Sequence, residues 1–127
     1  MKRIVHTDKA PEAVGPYSQA VEANGALYVS GQLPVDPVTG QAPETIEEQT
    51  EQALKNVGAI LEAAGYSYSD VVKSTVLLSD MGDFAAMNGV YARFYTQDMP
   101  ARVCYQVARL PLGVKVEIET IAVKTTE

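Results

Sequence analysis

The spacing of apolar residues along the chain predicts two helices. In the first, residues 45–64, apolar side chains recur at the three-and-four spacing of one buried stripe. Thr45 with Glu48 forms a capping box at its start, and Gly65 supplies the stop at its end. A second helix, about residues 83–95, has a similar stripe. Its members are Phe84, Met87, Tyr91 and Phe94.

The remaining pattern predicts strands. Period-two alternation marks four of them, at residues 2–6, 18–22, 27–30 and 70–79. Asn24-Gly25 is the strongest short hairpin signal and predicts a tight turn between the second and third elements of this pattern. Residues 100–119 alternate in two arms and predict a closing β-hairpin whose turn centres near Pro111.

The order of these elements predicts the fold class. It reads β-β-β-α-β-α-β-β within a single domain, residues 1–127. Two helices with one apolar stripe each can cover only one face of a sheet, so we expect an α+β fold with both helices on the same side. The other sheet face needs a cover where its side chains are apolar, and association of identical subunits is the usual one. An oligomer is therefore expected.

The predicted hairpin brings a permanent cation close to a carboxylate. Arg102 and Cys104 share one face of the first arm, and Glu117 falls opposite residues 104–106 on the polar side of the second. One interpretation is a cross-strand ion pair on a solvated face. The other is a site, because a guanidinium fork binds a carboxylate bidentately and a nearby carboxylate can orient or deprotonate water. Local chemistry leaves both open.

Composition narrows the classes of function. A net charge of −6 and a pI of about 4.7 disfavour nucleic acid as a partner, and no basic cluster compensates. The chain has one histidine, His6, and one cysteine, Cys104, which excludes an internal disulfide and multi-histidine or cysteine-rich metal sites within one chain. Neither a signal peptide nor a membrane-spanning apolar run is apparent, so we expect a soluble cytoplasmic protein with no membrane partner.

Short motifs along nearly the whole chain resemble the signature of the RidA/YjgF family of imine deaminases. They are Ala-Pro at 10–11, GPYSQ at 15–19, SGQ at 30–32 followed by Pro34, Asn88 followed by Tyr91, PAR at 100–102 with a cysteine at 104, VARLP at 107–111 and VEIE at 116–119. The matching order and spacing make the resemblance specific. It implies a chorismate-mutase-like fold that forms a homotrimer with a central barrel and with sites in the clefts between subunits.

The resemblance also implies a reaction. Dehydratases that use pyridoxal phosphate release enamines from threonine or serine, and these tautomerise to 2-imino acids. Members of the family hydrolyse such imines to 2-keto acids and ammonia. The implied ligands are small molecules, with 2-iminopropanoate and 2-iminobutanoate both acceptable as substrates, and no cofactor or metal is implied.

The matching motifs assign roles to particular residues. Arg102 matches the arginine that clamps the substrate carboxylate, and Glu117 matches the glutamate that positions or activates the attacking water. Tyr17 would close the pocket and orient substrate or water through its hydroxyl. The substrate-binding residues that the resemblance implies are Ser30, Gly31, Asn88 and Cys104, with Gly31 and Cys104 acting through their backbones.

Two other functions remain as alternatives. A non-catalytic module could bind 2-keto acids through Arg102 alone, or serve as a regulatory or chaperone-like partner; the presence of Glu117 as well favours the enzyme. A ribonuclease or translation inhibitor is an older label of the family. The acidic net charge and the lack of a histidine pair argue against it.

Overall fold

The computed structural model describes residues 1–124 and consists of a six-stranded sheet with two helices on one face. The strands are β1 Arg3–Val5, β2 Ala20–Ala23, β3 Ala26–Gln32, β4 Val71–Leu78, β5 Ala101–Gln106 and β6 Val116–Val123. The helices are α1 Ile46–Ala64 and α2 Phe84–Phe94. The sheet order is β1-β2-β3-β6-β4-β5. The predicted α+β class and the order of elements are confirmed.

Helix α1 has the ends that its sequence predicts. The Thr45 hydroxyl accepts a hydrogen bond from the Glu48 N–H at 3.1 Å and donates one to the Glu48 carboxylate at 2.9 Å. The two residues therefore cap each other at the start of the helix. Gly65 ends the helix at φ 86°, in the left-handed region that strains residues with a Cβ. Neither helix within residues 1–124 is long and apolar enough to cross a membrane.

The core lies between the helices and the central strands of the sheet. Val76 and Leu78 of β4, and Val116 and Ile118 of β6, are fully buried. Burying each side chain of this size stabilises the fold by about 1.5–3 kcal/mol relative to leaving it exposed. Because alternate residues of a strand point to opposite faces, this packing directs Glu117 away from the core.

The predicted hairpin over residues 100–119 is wrong. Strand β5 is an edge strand parallel to β4, with Arg102 beside Ser74, and β6 lies antiparallel on the other side of β4. The turn predicted near Pro111 exists as a short 3-10 turn, Pro111–Gly113, but it carries the chain across β4. The reason is burial: β6 has buried residues at alternate positions along its length and takes the centre of the sheet, whereas no residue of β5 is fully buried.

The sheet face away from the helices is uncovered in one chain. Tyr28, Val103 and Tyr105 project from it and are 51%, 41% and 49% exposed. Leu77 and Ile121 lie beside them in the strand pairing and are half-buried. Several large apolar side chains exposed on one sheet face indicate an interaction site, even where charged residues such as Glu117 and Glu119 lie among them. It is the face for which the sequence predicts association of identical subunits.

Candidate active site

Arg102 is held by helix α2. It extends from β5 toward the helix face, where its Nη1 donates a 2.7 Å hydrogen bond to Asn88 Oδ1. Its guanidinium carbon lies 4.9 Å from the centre of the Tyr91 ring and 5.6 Å from that of the Phe84 ring. Both distances are within the range of cation–π attraction. We call Phe84, Asn88, Tyr91 and Arg102 the arginine cluster.

The arginine cluster borders a cavity suited to a small acid. The cavity has a volume of about 260 Å³, and Met99 and Pro100 also line it. A guanidinium has more N–H donors than the single bond to Asn88 uses, so Arg102 can still bind a carboxylate bidentately. The cluster therefore offers an oriented cation beside a small cavity.

Cys104 follows Arg102 on the same face of β5 and packs partly buried against the core. Burial raises the pKa of its thiol, and the nearby Arg102 charge opposes part of that rise. A thiol with a raised pKa is a poor nucleophile. The side chain of Cys104 therefore acts as a small packed group, which leaves its backbone as the part available to a ligand.

Glu117 lies on the open sheet face, against strand β3. Its neighbours Val116 and Ile118 point into the core, so its own side chain projects to the opposite side. There the carboxylate lies directly on Gly31, because a Cβ added to Gly31 would overlap Glu117 Oε2. A residue with a Cβ at this position would therefore force the Glu117 side chain to move.

The environment of Glu117 changes its acidity. Burial raises the pKa of the Glu117 carboxyl above its ordinary value, and the negative charge of Glu119 adds to the rise. A carboxylate with a raised pKa is a stronger base than an ordinary glutamate. Glu117 can therefore take up a proton from water and return it.

A β-bulge in β3 shapes the backbone around Gly31. Between Val29 and Gln32 the pairing with β6 shifts by one residue, so Ser30 and Gly31 together stand opposite one residue of β6. The Ser30 hydroxyl donates a 2.6 Å hydrogen bond to the Ser18 carbonyl. Its hydroxyl thus fastens the bulge to the segment that follows Tyr17 and does not point to a ligand.

Tyr17 stands beside a second cavity, of about 250 Å³, which Gly31 and Leu112 also line. Its ring is half exposed, and its hydroxyl accepts a 3.3 Å hydrogen bond from the Val14 N–H. The buried side chain of Gln19, which the sequence offered only as the last residue of the GPYSQ motif, fixes the preceding loop by donating to three backbone carbonyls. We call Tyr17, Ser30, Gly31 and Glu117 the glutamate cluster.

The two clusters do not meet within one chain, so the predicted patch of Arg102, Cys104 and Glu117 is wrong. Glu117 lies in a row with Leu77 and Tyr105 on the open sheet face, whereas Arg102 points to α2 on the other face. The cause is the strand pairing, since the prediction paired β5 with β6 directly and β4 lies between them. Of the predicted site residues, Asn88 and Cys104 lie with Arg102, and Tyr17, Ser30 and Gly31 lie with Glu117.

Phe84 was predicted only as part of an apolar stripe, and Tyr91 as part of that stripe and of a family motif, without a role in the site. Phe84 and Tyr91 lie four residues before and three after Asn88, so all three share one face of α2. That spacing was available in the sequence. What the sequence lacked was the parallel pairing of β5 with β4, which puts Arg102 over this face.

A group of possible metal ligands lies outside both clusters. The ligand atoms of His6, Asp8 and Glu12 are within 4.8 Å of one another, and all three residues are exposed. His6 Nε2 lies 3.0 Å from Glu12 Oε1. An exposed pair of this kind is an ordinary surface contact, so we assign no metal site to it.

These features define a class of protein: a single α+β subunit that carries an oriented guanidinium in one cluster and a basic carboxylate in another. Residues 7–124 match the model of the Endoribonuclease L-PSP family, which is the YjgF/RidA family, and the chain belongs to that family. The resemblance seen in the motifs is confirmed.

Individual relatives match almost the whole chain. A 2-iminobutanoate/2-iminopropanoate deaminase from Capra hircus is 53% identical over 125 residues, which cover 98% of this chain and 91% of the relative. A crystal structure from Thermotoga maritima is 54% identical, with a TM-score of 0.96, and the match covers 99% of this chain and 100% of that one. E. coli TdcF, solved with bound serine, is 46% identical with a TM-score of 0.94 over 97% of this chain and 99% of its own.

Proposed function

We propose that the protein is a hydrolytic deaminase that converts 2-imino acids to 2-keto acids and ammonia. The observation that carries the proposal is that the chain holds both an oriented guanidinium, Arg102 on Asn88, and a partly buried carboxylate, Glu117 packed on Gly31. A protein that only binds a small acid needs a cation, whereas hydrolysis also needs a group that handles protons. The name of the Capra hircus relative supports the same reaction and substrate class.

Arg102 supplies substrate binding in this mechanism. Its guanidinium, held by Asn88 at 2.7 Å, donates two hydrogen bonds to the carboxylate of the imino acid. The imine carbon is bonded directly to the carboxylate carbon, so holding the carboxylate at a fixed guanidinium also holds the imine carbon in place. This positioning lowers the entropy cost of the attack. Asn88 thus serves the substrate by holding Arg102.

Glu117 supplies the proton transfers. As water attacks the electrophilic imine carbon, the Glu117 carboxylate removes a proton from that water and passes it to the imine nitrogen, which gives a carbinolamine. Transfer of the remaining hydroxyl proton to the nitrogen breaks the C–N bond, which releases ammonia and leaves the carbonyl of the 2-keto acid. One water is consumed and Glu117 ends unprotonated, so the step needs no metal or cofactor.

The remaining site residues shape the space around these two groups. Tyr17 lines the cavity next to Gly31, and we assign its hydroxyl the role of orienting substrate or water. The backbones of Gly31 and Cys104 offer hydrogen bonds to the water and the reacting nitrogen. Ser30 contributes by fixing the bulge that presents Gly31.

A complete site requires more than one copy of the chain. The arginine and glutamate clusters lie on opposite sheet faces, and the open face carries exposed Tyr28, Val103 and Tyr105. We propose a homotrimer in which the arginine cluster of one subunit faces the glutamate cluster of the next. A light-scattering mass equal to one subunit would contradict both the trimer and the shared site.

The function is tested by trapping the imine. Threonine dehydratase acting on threonine in the presence of semicarbazide yields a semicarbazone, and the native protein should suppress its formation by hydrolysing the imine first. Arg102→Ala should lose this suppression, and Glu117→Ala should lose most of it. If all three proteins behave like buffer while remaining folded, the deaminase proposal fails.

A binding module is the second candidate, because Arg102 held by Asn88 is by itself enough to bind a small acid and E. coli TdcF has been solved with bound serine. Its distinguishing result is saturable binding of a 2-keto acid with no effect on the semicarbazone yield. Binding would then depend on Arg102 and be indifferent to Glu117→Ala.

We also propose that the protein works in the cytoplasm on small molecules and not on nucleic acid, although the family description names an endoribonuclease. The net charge is −6, and His6 is the only histidine, so the chain lacks the histidine pair that an acid–base ribonuclease uses. In a gel-shift assay RNA should not be retained at low or high salt. Salt-sensitive retention would support the ribonuclease instead.

A further inference from the structure

The guanidinium of Arg102 is enclosed by aromatic rings as well as hydrogen-bonded. The ring centres of Tyr91 and Phe84 lie 4.9 and 5.6 Å from its central carbon, and Asn88 accepts from Nη1 at 2.7 Å. All three residues come from one face of α2, whereas Arg102 comes from edge strand β5. An arginine on an edge strand would otherwise be free to sample many rotamers.

The Tyr91 ring is itself fixed from the side of the core. Tyr91 is 7% exposed and Tyr95 is 3% exposed, and their ring centres are 4.8 Å apart. Tyr95 meets Tyr68 edge-to-face at 5.7 Å, and the Tyr68 hydroxyl donates a 2.7 Å hydrogen bond to the Leu54 carbonyl of α1. A continuous series of packed aromatic rings thus joins α1 to the surface on which Arg102 rests.

We propose that Phe84 and Tyr91 are positioning residues that preset the Arg102 guanidinium for the carboxylate of the ligand. They act through Arg102 and do not touch the reacting atoms. With the rings in place, the side chain is ordered before the ligand arrives, so binding loses little further conformational entropy. Without a ring, ordering Arg102 becomes a cost of each binding event. The inference rests on the proposed function for the identity of its ligand, a 2-keto acid.

The test compares two ligands that differ in charge, pyruvate and its amide, pyruvamide, on the whole protein by calorimetry. Tyr91→Leu and Phe84→Leu remove a ring, and Tyr91→Phe is the matched control that keeps it. Both leucine variants should bind pyruvate about fivefold more weakly, with pyruvamide unchanged, and Tyr91→Phe should bind pyruvate like the native protein. Because Tyr91 is buried, Phe84→Leu at the surface carries the same test where Tyr91→Leu fails to fold.

Two results would overturn the inference. Equal weakening of pyruvate and pyruvamide would show that the rings only support the fold, and unchanged pyruvate binding in Phe84→Leu and in folded Tyr91→Leu would show that Arg102 needs no presetting. If the native protein binds neither ligand, the proposed function fails and the positioning role is judged separately. Nitrogen-15 relaxation of the Arg102 Nε–H should then show a rigid group in the native protein and a mobile one in the leucine variants; equal order would overturn it.

Discussion

The arginine and glutamate clusters are built by different means. Arg102 is placed by side chains, with Asn88 accepting a hydrogen bond and Tyr91 and Phe84 offering ring faces. Glu117 is placed by backbone, since its carboxylate lies where Gly31 has no side chain. Several contacts together hold Arg102 in the first cluster, whereas one close approach, that of Glu117 to Gly31, fixes the carboxylate in the second. We therefore expect graded losses from substitutions around Arg102 and abrupt ones around Glu117.

The largest expected change in activity tests whether the two clusters of one site come from different subunits. Arg102→Ala and Glu117→Ala should each be nearly inactive, but mixing them as refolded subunits should restore about a quarter of the native activity, because about one interface in four then joins an intact Arg102 to an intact Glu117. The measurement is semicarbazone suppression before and after mixing. A mixture as inactive as its parents would place both residues of each site in one subunit.

Gly31→Ala tests the close approach in the glutamate cluster. The new Cβ would overlap Glu117 Oε2 and displace the carboxylate, and a displacement of about 1 Å costs a rate on the order of 100-fold. The fall should appear in kcat. Binding of pyruvate by the arginine cluster serves as the control and should be retained; loss of both would indicate that the substitution unfolds the site.

Asn88→Ala should have a smaller effect on the arginine cluster. It removes the acceptor of the 2.7 Å bond from Arg102, and losing one hydrogen bond to a charged group is expected to raise KM about tenfold. The aromatic faces of Tyr91 and Phe84 remain, so binding is weakened and not lost. Asn88→Gln keeps a neutral amide acceptor and should recover part of the affinity. Equal KM values for the alanine variant and the native protein would contradict this role.

The smallest effect concerns stability and pH. The raised pKa of Glu117, above its ordinary value of 4.5, means that the folded state binds this proton more tightly than the unfolded state. Between the two pKa values the folded state holds more protons, so native stability falls as pH rises through that window. Glu117→Gln carries no such proton and should gain stability over the native protein from about pH 4 upward, reaching a plateau above the folded pKa.

Glu119→Gln is the matched control for that pH dependence. Its negative charge is the second cause of the raised pKa of Glu117, after burial. Removing it should narrow the pH window without closing it. Denaturant titrations at several pH values measure both variants, and a Glu117→Gln protein that tracks the native one at every pH would show that the carboxyl is not perturbed.

Local features of the sequence were sufficient to predict the helices and strands. Thr45, Glu48 and Gly65 predict the ends of α1 within one residue, because capping depends on residues within a turn of the helix. The alternation in residues 100–119 likewise predicts both strands of that segment correctly as strands. The motifs identify the family, since they are short and read in order along the chain.

The partners of those strands could not be read from the same pattern. Residues 101–106 and 116–123 alternate much as hairpin arms do, and nothing in their spacing shows that β4 lies between them. That choice depends on contacts distant in sequence, because only the buried face of β6 can fill the sheet centre over α1. Arg102 and Glu117 were therefore expected on one face and lie on two.

The sequence by itself determined the family, the ends of α1 and the presence of each strand, because these follow from residue type and from neighbours a few positions away. Only the tertiary structure decided that Arg102 rests on Tyr91 and Phe84, that Glu117 lies on Gly31, and that the two face opposite ways. Strand order is a property of the whole core, and β4 between β5 and β6 separates side chains that a direct pairing of those two strands would have brought together.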